Sequence, residues 1–140
     1  MILIDRFSQK PVFEQLVDSI EQQIVLGVYP PGTLLPSLRE LSVTLGINPN
    51  TVQKSYGELT RRGVILPSVG SGCYVSPDAP ERIRAGAESR LPALVRLCED
   101  MKLRGVPEET LLAAVRSVYT TGADAGAQTD TQRKEDSDHA

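Results

Sequence analysis

Between residues 48 and 54 the chain gathers Asn48, Asn50, Thr51, Gln53 and Lys54. An amide offers a donor and an acceptor side by side, the pattern that adenine's major-groove edge can take bidentately. A threonine hydroxyl and a lysine ammonium suit phosphate, a thymine methyl or guanine. Arg39, a little upstream, adds a guanidinium fork that fits phosphate or guanine. The same residues would also serve as an ordinary solvated helix face, with Arg39 in an intrahelical ion pair of little energetic weight. The elements that carry them have to decide between these readings.

Other chemistry finds few groups to work with. His139 is the only histidine and lies near the end of the chain. Cys73 and Cys98 have no metal-type spacing, no glycine-rich phosphate loop precedes a helix, and Glu108-Glu109 reads as an acidic first turn rather than a catalytic pair. The chain is therefore expected to be no enzyme, with no catalytic residue, no metal and no cofactor. The two cysteines are expected to be small buried hydrophobes in a reduced, cytoplasmic setting, since no signal peptide accompanies them. No run approaches the length of an apolar membrane span.

The spacing predicts a helix over residues 10–27, with Phe13, Leu16, Val17, Ile20 and Ile24 on one stripe, Pro11 at its first position and Gly27 at its stop. Pro30-Pro31-Gly32 forces a turn. Ser37 followed three residues later by Glu40 is a capping box, opening a second helix with Leu38, Leu41 and Leu45 as its core stripe and Gly46 as its end. Asn48 caps a third, with Pro49 at its first position, Val52, Tyr56 and Leu59 facing inward and Gly63 closing it. On that helix Asn50, Thr51, Gln53 and Lys54 fall off the apolar face. Two short helices about the turn 46–48 make a helix-turn-helix. Val64-Ile65-Leu66 and Cys73-Tyr74-Val75 then bracket Pro67–Gly72 as a hairpin with a flexible tip. The fold class is thus mostly α with a small β hairpin, a winged helix-turn-helix followed by a short C-terminal helical hairpin.

Residues 1–76 form the winged domain, 77–119 a helical region and 120–140 a tail that lacks large apolar residues and is expected to be disordered. Residues 76–80 read as a linker, and 77–90 as either helix or linker. Ala87, Leu91, Leu94, Cys98 and Met101 repeat at spacings of four and three, with Pro92 marking a kink or a fresh start, and a last helix carries Leu111, Leu112, Val115 and Val118. A two-helix hairpin this small cannot bury both apolar faces alone, so Leu91, Leu94, Cys98, Met101, Leu112 and Val115 are expected to meet a second subunit. The net charge of −3 lies wholly in the tail; residues 1–76 carry six basic and six acidic side chains. That neutral balance falls short of the strongly basic footprint of many nucleic-acid binders. It keeps open a winged helix used as a protein-interaction adaptor without specific DNA binding.

Pro36-Ser37-Leu38-Arg39-Glu40-Leu41, Leu45-Gly46-Ile47-Asn48-Pro49-Asn50-Thr51-Val52, Tyr56 through Leu59 with Gly63, and Gly70-Ser71-Gly72-Cys73-Tyr74-Val75 fall in the order and spacing of one family. Over residues 8–76 the chain resembles the GntR family of bacterial transcription regulators. Pro11–Gln15, the Asn-Pro-Asn-Thr-Val turn and the short helical C-terminus are similar to its YtrA-like subgroup. The resemblance implies a cytoplasmic homodimer that binds a palindromic double-stranded DNA operator, usually as a repressor, often beside genes for ATP-driven transporters. It implies DNA contacts from Ser37, Arg39, Asn48, Asn50, Thr51, Gln53 and Lys54, and from Gly70 and Ser71 at the wing tip. Relatives commonly carry Arg or Lys where this chain has Pro67, Ser68 and Ser71, which predicts a shallower salt dependence. About forty residues after the linker hardly enclose a ligand pocket. A small-molecule effector, if one acts, has to sit at the dimer interface or between hairpin and reading head.

Overall fold

The computed structural model describes residues 2–70 and 72–121. In chain order the elements are α1 (Val12–Val25), α2 (Leu38–Leu45), α3 (Pro49–Arg61), β1 (Ile65–Ser68), β2 (Gly72–Val75), α4 (Ala79–Glu88) and α5 (Leu91–Leu103). Residues 108–121 are helical as well and are called α6. The chain divides into two compact units, one ending at Ser89 and one beginning at Arg90.

In the first unit, α1 buries Leu16, Val17, Ile20 and Ile24 against Val52, Tyr56 and Leu59 of α3, Leu41 of α2, and Val64, Ile65 and Val75 of the wing. The helix is shorter than the pattern predicts. Pro11 stands at the cap rather than inside, and after Leu26 the chain turns at Gly27, whose φ of +82° is left-handed. Val28 and Tyr29 N–H then both reach the Gln23 carbonyl, at 2.9 and 3.3 Å, satisfying an end that would otherwise lack donors. Phe13, placed in the core stripe by the sequence pattern, is only half-buried.

Ser37 caps α2 as expected, its Oγ accepting from Glu40 N at 3.0 Å, but no bond from the Glu40 side chain back to Ser37 forms among the described residues. α2 fully buries only Leu41. Leu38, expected in the core, is 36% exposed and Leu45 is partly buried, because eight residues give little more than two turns to lay on the core. The far end of α2 is held from outside: Arg6 Nη2 donates to the carbonyls of Leu45 at 3.2 Å and Gly46 at 2.8 Å.

The wing pairs Ile65 with Val75, Leu66 with Tyr74, Pro67 with Cys73 and Ser68 with Gly72. β1 therefore starts one residue after its apolar run and ends two residues beyond it, β2 starts one residue before its run, and Pro67 lies within β1, at the outside of the sheet where proline is tolerated. The opposite edge of β2 is covered by residues 32–35, which continue directly from the turn expected at Pro30-Pro31-Gly32. Leu35 N donates to Cys73 O and Val75 N to Thr33 O, both at 2.9 Å.

Residues 76–80 are not a linker. Ser76 is buried, with its N–H on Val64 O at 2.9 Å and its Oγ on Gly63 O at 2.7 Å, and Ala79 opens α4 fully buried in the core. The first unit thus includes α4, with Ile83 packed on the same core.

In the second unit α5 starts afresh at Leu91, with Pro92 in its first turn where a missing N–H costs nothing. None of its residues is buried. Cys98 and Met101 are half-buried; Leu91, Leu94, Leu112 and Val115 are exposed to between 44 and 53%. The turn to α6 uses Gly105 at φ +89°. α6 continues through Thr120 and Thr121, whose hydroxyls donate to Arg116 O at 2.8 Å and Ser117 O at 2.6 Å, so the helical region passes the expected boundary at 119. The remainder of the expected tail, His139 included, lies outside the described residues.

Candidate nucleic-acid interface

Asn48 caps α3 through Oδ1, which accepts from Asn50 N at 2.8 Å, and Pro49 follows at the first helical position. With that start fixed, helical geometry carries Val52, Tyr56 and Leu59 inward and leaves Asn50, Gln53 and Lys54 exposed. Thr51, expected with them, is half-buried instead. It lines an open groove with Val12, Phe13, Asn50 and Lys54. Below this face, the buried Ser55 hydroxyl lies 3.0 Å from both the Phe13 and the Thr51 carbonyls, tying α3 to the first turn of α1.

The angle between α2 and α3 is held by Tyr56. Its hydroxyl donates to Pro36 O at 2.5 Å, one residue before the cap of α2. Burial, reinforced by Cys73, Tyr29 and Glu40, pushes its ionisation above the ordinary tyrosine range, so it stays a neutral donor. The structure therefore brings Ser37, Arg39, Asn48, Asn50, Thr51, Gln53 and Lys54 onto two consecutive, mutually braced helices. The oxygens of Ser37 and Asn48 are already spent on backbone caps. Gly70 is exposed at the wing tip with φ +76°. Ser71 lies outside the described residues.

The charges sort in a way that a count cannot reveal. Lys10 pairs with Asp18, Arg61 and Arg62 share Glu58 at 2.5 and 3.0 Å, and Arg62 also reaches Glu21 at 2.9 Å. Hydrogen bonds from Arg61 and then Arg62 pull the Glu58 carboxyl down to about 2. Arg6 is spent on the α2 carbonyls. Among the described residues of the first unit, Arg39 and Lys54 are the cations left with neither a carboxylate in ion-pair reach nor a helix carbonyl. Arg39 makes no hydrogen bond among the described residues, and Lys54 lies over the Phe13 ring, 3.8 Å from its centroid. The intrahelical ion pair considered for Arg39 does not form.

Neither the Phe13–Lys54 contact nor the Arg6 clamp has a local sequence signal: Phe13 falls on the apolar stripe of α1, and Arg6 lies ahead of every periodic segment. Both cysteines are free and half-buried rather than buried. Burial pushes the Cys73 thiol up, away from a reactive thiolate. Among the described residues no group of three or more His, Cys, Asp or Glu could hold a metal ion, and no helix is long and apolar enough to cross a membrane.

Residues 13–75 match the family model described as bacterial regulatory proteins, gntR family. The HTH-type transcriptional repressor YtrA of Bacillus subtilis (strain 168) is 35% identical over 119 residues, spanning 84% of this chain and 92% of that protein. A GntR family transcriptional regulator from Listeria monocytogenes superposes with a TM-score of 0.66 at 31% identity, covering 79% of this chain and 96% of its own. YtrA from Sulfolobus acidocaldarius, a GntR-family transcription factor, gives 0.54 at 34% identity, covering 66% and 97%. Motif order, helix-turn-helix, wing and relatives agree: this chain belongs to the GntR family, as a YtrA-like transcription regulator built on a winged helix-turn-helix.

Proposed function

We propose that the chain is a sequence-specific DNA-binding repressor that acts as a homodimer on a palindromic operator. The observation that carries this reading is the placement of Arg39 and Lys54. In a unit whose other cations are spent on carboxylates or helix carbonyls, these two stand free on the helix pair that meets DNA in helix-turn-helix proteins, the pair that also exposes the amides of Asn50 and Gln53. The leading turn of α3 enters the major groove, with Asn50 and Gln53 at base edges. Arg39, Lys54 and half-buried Thr51 border them, and Ser37 and Asn48 fix the helix starts. Exposed Gly70 at the wing tip brings the wing backbone close to the duplex. The relative named a transcriptional repressor supports the direction of control; transporter genes are the regulated class that the subgroup resemblance implies.

Homodimerisation rests on the second unit. An α5 with no buried residue, flanked by exposed Leu112 and Val115, lacks a core of its own, and a second copy of the same surface supplies one with the two-fold symmetry of a palindrome. Leu94→Asp combined with Val115→Asp should give a monomer in sedimentation equilibrium; a protein monomeric without substitution would remove the dimer.

The DNA reading is tested by titrating labelled duplex from upstream of the chain's own gene. Binding should exceed that of scrambled duplex and weaken with salt, and Arg39→Ala or Gln53→Ala should each cost about 1–3 kcal/mol. Equal affinity for scrambled duplex would favour a protein-interaction adaptor. Full affinity with both side chains removed would reject the site while leaving DNA binding intact.

A further inference from the structure

Phe13 occupies an unusual place for a residue of an apolar stripe. It is half-buried on the first turn of α1, and its carbonyl lies 3.0 Å from the hydroxyl of the fully buried Ser55, 42 residues along the chain. That bond fixes where the ring stands relative to α3. On the residue next to Ser55, the Lys54 ammonium lies 3.8 Å from the ring centroid. The ring and the ammonium are two walls of the open groove completed by Val12, Asn50 and Thr51.

A lysine head on a four-carbon stem is free to sample many rotamers, and fixing it against a ligand costs that freedom. The negative face of an aromatic ring attracts a cation and confines it, while leaving its N–H groups able to donate. Lys54 has no carboxylate among the described residues to compete for it, so the ring is the one charge-stabilising contact it has there. It also stands a full turn beyond Asn50, set back from the leading end of α3, and at least half of the hydrogen bonds that proteins give DNA go to phosphate and sugar.

We propose that Phe13 is a positioning residue for DNA binding: it holds the Lys54 ammonium, before DNA arrives, where it meets a backbone phosphate. The inference rests on α3 being the DNA-contacting helix. It deepens that reading by adding a residue outside the helix-turn-helix whose contribution passes through Lys54 and depends on its aromatic face.

The experiment is a double-mutant cycle on the full-length protein, with the upstream duplex titrated over a series of salt concentrations. Phe13→Leu should weaken binding about twofold to fivefold, the range that an exposed cation–π contact supports. Phe13→Tyr and Phe13→Trp, which keep a ring face, should bind as the parent does. Lys54→Ala should weaken binding and reduce the salt slope by about one. In the Lys54→Ala background Phe13→Leu should cost nothing further. A merely structural Phe13 would give the same loss with and without Lys54, and that result, or a Tyr variant as weak as the Leu variant, overturns the proposal. Unchanged binding by Lys54→Ala while Arg39→Ala still weakens it would sink this inference alone. A parent protein that prefers no duplex would sink the DNA reading beneath it.

Discussion

Tyr56→Phe removes a single oxygen from the joint that sets α2 against α3. Tyr56 is 6% exposed, and its hydroxyl donates to the Pro36 carbonyl at 2.5 Å. No other donor reaches that carbonyl among the described residues. Phenylalanine keeps the ring packing, so the loss is one neutral hydrogen bond plus a half-buried acceptor left without a partner, about 1–2 kcal/mol in all. For a unit of this size that is a fall in Tm of roughly 4–16 °C. The loss also has a pH signature. Burial raises the ionisation of Tyr56 in the folded state above its ordinary value, so the unfolded chain ionises first. The hydroxyl's contribution is complete below about pH 10 and is lost as pH rises beyond it, by up to about 1.4 kcal/mol per unit. Urea unfolding followed by circular dichroism at pH 7.5, 9 and 10.5 should show an unchanged gap at the first two values and a smaller one at the third. A gap under about 0.3 kcal/mol at pH 7.5, or one that persists undiminished at pH 10.5, would refute the account of this joint.

Two further substitutions probe the frame around the same helices. Glu58 is held to about 2 by Arg61 and Arg62, so its contribution is present above the ordinary carboxylate value and lost as pH falls toward 2. Glu58→Gln should cost about 0.5–1 kcal/mol at pH 7, the scale of a solvent-screened network, and about a quarter of that at pH 2.5, as read from thermal unfolding at both values. Gly63 has φ +73°, and a Cβ there would come within 2.6 Å of Arg82 Nη1. Gly63→Ala should cost about 1–2 kcal/mol of backbone strain. Adding Arg82→Ala should recover only the steric share, since the end of a flexible side chain can yield; full recovery in chemical denaturation would argue against strain.

The helix starts were legible because they are written in side chains that bond their own backbone: Ser37 and Asn48 cap α2 and α3 where their spacing to Glu40 and Pro49 placed them. The inward face of α3 was legible for the same local reason, since Val52, Tyr56 and Leu59 repeat at helical spacing. What escaped was set by contacts between distant segments. Leu38 carries the right residue type for a core, but α2 is too short to bury it. Ser76 to Pro80 has the composition of a linker, yet the Ser76 hydroxyl finds the Gly63 carbonyl 13 residues back and Ala79 fits the core, so the same residues become the start of α4. Residues 32–35 carry no strand alternation, and only their bonds to Cys73 and Val75 make them a covered sheet edge. At the candidate site helical spacing turns Asn50, Gln53 and Lys54 outward, while Thr51 is half-buried against α1. The partners that prepare the site, Phe13 and Arg6, lie far away in sequence, where no periodicity could point to them.

Charge is where local and distant information differ most in consequence. A sum over residues 1–76 is zero and would argue against a nucleic-acid partner, because the sum weighs every cation equally. The fold does not. Lys10, Arg61 and Arg62 sit beside acids and are neutralised in place, and Arg6 faces the carbonyl end of α2. What remains as field beyond the surface comes from the cations with no such partner, and on α2 and α3 these are Arg39 and Lys54, close to the amides that would read sequence. A domain of zero net charge can therefore present a positive reading face. With no lysine or arginine from Ile65 to Val75, the wing adds nothing to that face. Under the proposed function, affinity then has to come from few phosphate contacts and from base-edge hydrogen bonds, which salt screens less. That combination favours discrimination between sequences over tight binding to any duplex.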